Sequence, residues 1–168
     1  MSEAKIKRIF YWAELAVMLL TLIFIFTNSL RAPEESMEQS GAARGFLETV
    51  FSYDRPLGRF VLDNVRKIAH FAEYALLGLE VAIFVIFHLQ NKCVKAILSI
   101  PAAMCVAVFD ETLQYFSGRG PAIVDVWIDL GGFAAGSLTC YGVTALVSYF
   151  AAKRFSRSKG EVGDGKNN

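Results

Sequence analysis

Apolar residues run almost unbroken through four stretches of the chain, residues 9–27, 68–89, 94–116 and 123–150. A helix of about 20 apolar residues crosses a bilayer, so each stretch predicts a transmembrane helix. Residues 31–66 form the one sizeable loop, which opens with Pro33-Glu34-Glu35-Ser36 and carries a glycine patch from Gly41 to Gly45. Later in the loop, Phe46, Leu47, Val50 and Phe51 recur at helical spacing, and Phe60, Val61, Leu62 and Val65 do so again. That pattern suits a helix lying in the membrane interface or a re-entrant cover, not a soluble domain. The predicted fold class is an all-α integral membrane protein: a bundle of four transmembrane helices with an extracytoplasmic loop suited to an interfacial helix. Residues 1–152 make the transmembrane domain, and the basic, Gly- and Ser-containing residues 153–168 a disordered cytoplasmic tail.

Composition agrees with this. The 168 residues are sized for one domain and are 54% hydrophobic, with a mean hydropathy of +0.40. Their apolar content is too contiguous for a soluble core. The formal net charge of +1 hides an uneven distribution. With both termini inside, ten of the 17 basic residues are cytoplasmic and crowd the helix ends: Lys5, Lys7, Arg8, Lys92, Lys95, Lys153, Arg154, Arg157, Lys159 and Lys166. The others sit mostly in the long loop, diluted by Glu34, Glu35, Glu38, Glu48, Asp54 and Asp63. The positive-inside rule therefore predicts a multi-pass protein of the cytoplasmic membrane with both termini in the cytoplasm. The first apolar run is too long for a signal peptide's core and no A-x-A site follows it, so it is expected to remain as an anchor. Cys93, Cys105 and Cys140 form no CxxC and no secreted spacing, which indicates neither a disulfide framework nor a zinc site.

The polar residues that interrupt the apolar runs carry the chemistry. Between the third and fourth runs, DETLQYFSGRGPAIVDVWID holds four carboxylates, a Gln and an Arg at a membrane boundary, where ionisable groups are costly and are kept for pairing, binding or chemistry. At about 100° per residue Asp110 and Gln114 share a helix face with Ala103 and Ala107, and Asp125 and Asp129 share another that continues into Gly132 and Gly136. Small residues of this kind let helices approach closely. The second run opens with Lys67, His70 and Tyr74 on one stripe with Gly78, and Glu73 to the side. Under the predicted topology all of these lie at the outer surface, in one convergent site. Glu14 and Thr27-Asn28-Ser29 in the first run suit snorkelling or capping, and Glu80 lies deep in the second.

The blocks K-x-x-H-F-x-E-Y-x-x-L-G at residues 67–78, D-E-x-x-Q-x-F at 110–116, G-R at 118–119 and D-x-x-x-D-x-x-G-x-x-x-G at 125–136 together resemble the VanZ-like family over roughly residues 9–150. The resemblance implies a small integral membrane protein and an association with resistance to the glycopeptide teicoplanin. Asn is common in that family where this chain has Asp129.

Two functions fit the residues. In one, the outer-face site binds or modifies an anionic lipid-linked or cell-envelope component. His70, Glu73, Asp110, Glu111 and Asp125 are then the acid/base candidates, His70 because its ordinary pKa is near neutrality. Lys67, Tyr74, Gln114, Arg119 and Asp129 are the binding candidates, with Arg119 able to grip a phosphate or carboxylate in a bidentate way. In the other, the protein is a non-catalytic structural or partner-binding component whose polar cluster is an interhelical salt-bridge lattice, with Lys67 and Arg119 neutralising Asp110, Glu111 or Asp125. The residues leave open whether the protein is an enzyme. No metal site is assigned; a divalent cation such as Mg²⁺ held by the carboxylates is left open and not favoured, because the cationic side chains nearby would oppose it. The expected partner is a membrane lipid or lipid-linked envelope precursor, and no nucleic acid.

Overall fold

A computed structural model describes residues 2–89 and 91–164; of residues 92, 93 and 155–164 it describes the backbone alone. Lys166, and the side chains of Lys92, Cys93, Arg157 and Lys159, lie outside that description. The chain forms six helices, α1 (Glu3–Ser29), α2 (Pro33–Glu48), α3 (Pro56–Asp63), α4 (Val65–His88), α5 (Lys92–Phe116) and α6 (Ile123–Asp164), with no strand among the described residues. Four of them are long and apolar enough to cross a membrane: Glu3–Ser29, Val65–His88, Val94–Phe116 and Ile123–Arg154. α6 is helical to Asp164, past residue 152 where the sequence ends the transmembrane domain.

These four helices leave much of their apolar surface uncovered by protein. Leu20, Phe24, Leu138 and Val147 are each more than half exposed, as expected where lipid is the solvent and helices satisfy their own backbone. Packing inside the bundle depends on small residues. A Cβ on Gly136 would meet the Ala75 carbonyl oxygen at 1.8 Å, one on Gly132 the Phe71 oxygen at 2.3 Å, and one on Gly78 the Phe133 oxygen at 2.1 Å. The α4 and α6 backbones therefore touch along two turns and more, and Ser137 Oγ donates to the Gly78 carbonyl at 2.9 Å across the same seam. Ala103 and Ala107 of α5 are buried and complete the core with Ile25, Tyr74, Leu77, Val126 and Phe133.

The contact between α1 and α4 is polar at intervals. Asn28 Nδ2 donates to Glu73 Oε1 at 2.9 Å, Thr21 Oγ1 donates to Glu80 Oε1 at 2.8 Å, and His88 Nε2 lies 2.8 Å from Glu14 Oε2. Positions 14, 21 and 28 stand one heptad apart, so they return to the same face of α1. Glu14 and Glu80, without assigned partners in the sequence, are thus two rungs of one antiparallel interface.

The loop departs from its expected form. Its main helix begins at Pro33, not near Phe46, and Val50 and Phe51 fall in the turn that follows it. Pro33 at the first helical turn and Glu34 and Glu35 beside it are helix-start signals that complement the positive end of the helix dipole. Gly41 and Gly45 have open space around them and are carried within the helix.

Candidate functional site

The end of α1, the start of α4, the end of α5 and the start of α6 meet at one end of the bundle, where α2 lies alongside α4 and over the junction. The turn after α5 fixes the geometry. Gly118 has φ +78°, and the Arg119 amide bonds back to the Gln114 carbonyl at 2.9 Å, closing the helix with a left-handed cap that folds the chain over its own last turn. Arg119 is thereby turned inward, 7% exposed, and its Nη1 donates to the Asn28 carbonyl of α1 at 2.9 Å. Ser117 Oγ lies 3.0 Å from the Ser29 carbonyl and 2.9 Å from that of Gln114. This accounts for its hydroxyl structurally.

Beneath that turn, Asp110, Gln114 and Asp129 are fully buried, with His70, Glu111 and Arg119 nearly so. Ser29 Oγ donates to Asp110 Oδ1 at 2.5 Å. Gln114 Nε2 donates to Glu111 Oε1 at 2.9 Å and stands 3.2 Å from Asp110 Oδ2. Its carbonyl oxygen accepts from Arg66 Nη2 at 2.6 Å, and Glu111 Oε2 accepts the Ala122 amide at 2.9 Å. Gln114 therefore joins α5 to α4 through one amide group, and Glu111 ties the same cluster to the start of α6. His70 Nδ1 lies 3.6 Å from Asp129 Oδ1 and 3.8 Å from Asp110 Oδ2, facing these acids and not Glu73, whose partner is Asn28.

The structure thus brings His70, Glu73, Tyr74, Asp110, Glu111, Gln114, Arg119 and Asp129 to one end of the bundle. Asp125 is half-buried one turn before Asp129 and takes no part in the hydrogen bonds just described. Lys67, in the first turn of α4, is exposed and lines neither of the cavities described below. Its neighbour Arg66 enters the cluster instead. Arg66, Asn28 and Ser29 are the residues that sequence reasoning missed. The polar Thr27-Asn28-Ser29 ending an apolar run was the available signal for two of them, and nothing in the sequence favours Arg66 over Lys67.

The expected neutralisation of the acids by cations is also absent. Among the described residues no Lys or Arg forms an ion pair with Asp110, Glu111, Asp125 or Asp129. Arg66 and Arg119 spend their hydrogen bonds on an amide and a carbonyl, and the Nε of each is buried without a partner. Burial, and then the Arg66 guanidinium, lower the pKa of Arg119 from its ordinary value, against the opposite pull of Asp110, Glu111 and Glu73. Both arginines line two adjoining cavities. One of about 530 Å³ lies under α2 and beside Gly118 and Gly120; the other, of about 110 Å³, reaches inward to Asn28, His70 and Glu73. His70, Asp110 and Asp129 also offer ligand atoms within 4.8 Å of one another, where the sequence assigned no metal.

No curated protein and no solved structure matches the chain. The profile of one family, VanZ/LLP1, matches residues 14–147, a span that takes in α4, α5 and most of the apolar lengths of α1 and α6, with the arginine-lined cavities and the buried acids. The chain belongs to the VanZ/LLP1 family, a multi-pass membrane family associated with antibiotic resistance.

Proposed function

We propose that the polar end of the bundle faces out of the cell and binds the anionic head group of a lipid-linked component of the cell envelope. One observation carries this reading: Arg66 and Arg119 line both the larger cavity and the inner one, and each keeps a buried guanidinium nitrogen without a partner. Two cations side by side repel each other, and a phosphate or carboxylate between them would relieve that repulsion through charge-assisted bonds. The cavities lie at the start of α4 and just past the end of α5, two of the membrane-crossing helices, so a lipid-linked ligand could keep its tail in the bilayer. His70 and Glu73 on the inner wall stand where an acid or base would act on the bound head group.

The test is susceptibility to a lipophilic glycopeptide such as teicoplanin. Overproduction of the protein is expected to change it, and His70→Ala, Asp110→Asn and Arg119→Ala are each expected to abolish the change at unaltered membrane abundance. Abundance must be measured, because an unpartnered buried charge can cost about 3–5 kcal/mol and remove the protein by unfolding.

A second reading has its own support. Bonds from Ser29 to Asp110, Asn28 to Glu73 and Arg66 to Gln114 join different helices, as a purely structural lattice would. Full phenotype in all three variants at normal abundance would favour that reading.

A further inference from the structure

Asp129 is fully buried, yet neither of its carboxylate oxygens has a hydrogen-bond partner, and His70 Nδ1 facing it has none either. A carboxylate in that position needs a positive partner. The arginines do not supply it, since Arg119 is bonded to the Asn28 carbonyl and Arg66 to Gln114 Oε1. The separations from His70 Nδ1, 3.6 Å to Asp129 Oδ1 and 3.8 Å to Asp110 Oδ2, lie within ion-pair reach of a protonated imidazole but are too long for hydrogen bonds. They match something else: ligands at about 2.1 Å around a tetrahedral ion stand roughly 3.4 Å apart.

We infer that His70, Asp110 and Asp129 form a binding site for a divalent transition-metal ion, with His70 Nδ1, Asp110 Oδ2 and Asp129 Oδ1 as its protein ligands. This goes beyond the head-group reading and does not depend on it. The three ligands come from α4, α5 and α6, so the site is set by tertiary packing and not by a local motif. The second oxygen of Asp110 is held by Ser29 Oγ, and Gln114 Nε2 stands 3.2 Å from the first, which is the outer support a ligating carboxylate commonly has. One imidazole with two carboxylates suits Zn²⁺ or Mn²⁺ better than Mg²⁺, which prefers oxygen and retained water. Three protein ligands leave a coordination position open. His70 also lines the inner cavity, so the ion would lie beside that space.

The test uses full-length protein purified in detergent, stripped with chelator, and titrated separately with Zn²⁺, Mn²⁺ and Co²⁺, with bound metal measured by elemental analysis and calorimetry. One ion per chain is expected. Asp129→Asn and His70→Gln should each weaken binding about tenfold or more. Asp54→Asn, exposed between α2 and α3 and away from the triad, should leave it unchanged. Co²⁺ on the wild-type chain should give visible bands of a nitrogen- and oxygen-ligated ion, a readout that needs no variant to fold. No ion retained at micromolar metal would overturn the inference, and so would an ion that both triad variants retain with unchanged affinity. Neither result would touch the binding of an anionic head group by the arginines.

Discussion

Ser29, the last residue of α1, donates its hydroxyl to Asp110 Oδ1 at 2.5 Å, across 81 residues of chain, with both side chains wholly shielded. This bond makes the first transmembrane helix part of the polar site. Ser29→Ala leaves a buried carboxylate oxygen without its donor, which costs about 1–3 kcal/mol. The purified variant should melt below wild type, by roughly 2–4 °C for each kcal/mol if a soluble domain of this size is a guide. An unchanged melting temperature would mean that α1 is not coupled to α5 through this pair.

Thr21 and Glu80 make the corresponding bond deep in the membrane, at 2.8 Å. Thr21→Val alone should destabilise, because it strips a donor from a carboxyl group in lipid. In Thr21→Val/Glu80→Leu both partners become apolar, and much of the loss should return. The coupling between the two substitutions is expected near 0.6 kcal/mol and no more than about 1.7 kcal/mol. A double variant whose loss equals the sum of the two single losses would show that the rung contributes nothing.

Gly136 and Gly41 should respond oppositely to alanine. At Gly136 the new methyl would collide with the Ala75 backbone oxygen, a contact that cannot turn away, so a loss of about 1–3 kcal/mol or more is expected. At Gly41, inside α2 with nothing within 4 Å, alanine should gain up to about 1 kcal/mol of helix propensity. Melting temperatures of the two variants check both signs in one experiment. Equal shifts would contradict the close α4–α6 seam.

The proposed orientation, with both termini inside, rests on the crowding of Lys and Arg at Lys5, Lys7, Arg8, Lys153 and Arg154, and is tested by labelling. In a chain whose own cysteines are replaced by alanine, an impermeant thiol reagent applied outside intact cells should modify Gly120→Cys and spare Lys95→Cys. Labelling of Lys95→Cys alone would invert the protein and place the arginine cavities on the cytoplasmic side.

The four apolar spans and much of the polar cluster were legible in the sequence because both rest on periodicity. Apolar length predicted the spans, and the spacing of Asp110 with Gln114, and of Gly132 with Gly136, depends only on helical phase. Partners across helices were not legible. Phase says which face a residue occupies, but not which helix covers that face, so Ser29, Asn28, Glu14 and Glu80 had no visible partner. Lys67 and Arg66 differ by a single step along α4, yet one ends exposed and the other on Gln114. Local chemistry also misled: Pro33-Glu34-Glu35 resembled the opening of a loop, although the same residues favour a helix N-terminus.

Arg66 and Arg119 are proposed to hold an anionic head group together. The most direct measurement is the affinity of the purified protein for a polyprenyl phosphate and for the matching uncharged polyprenol, in the wild type and in Arg66→Gln and Arg119→Gln. The phosphate should bind more tightly than the alcohol, and each variant should lose about tenfold or more of that preference, as expected for one charge-assisted bond. Equal affinity for the phosphate and the alcohol in the wild type, or an undiminished preference in both variants, would contradict it.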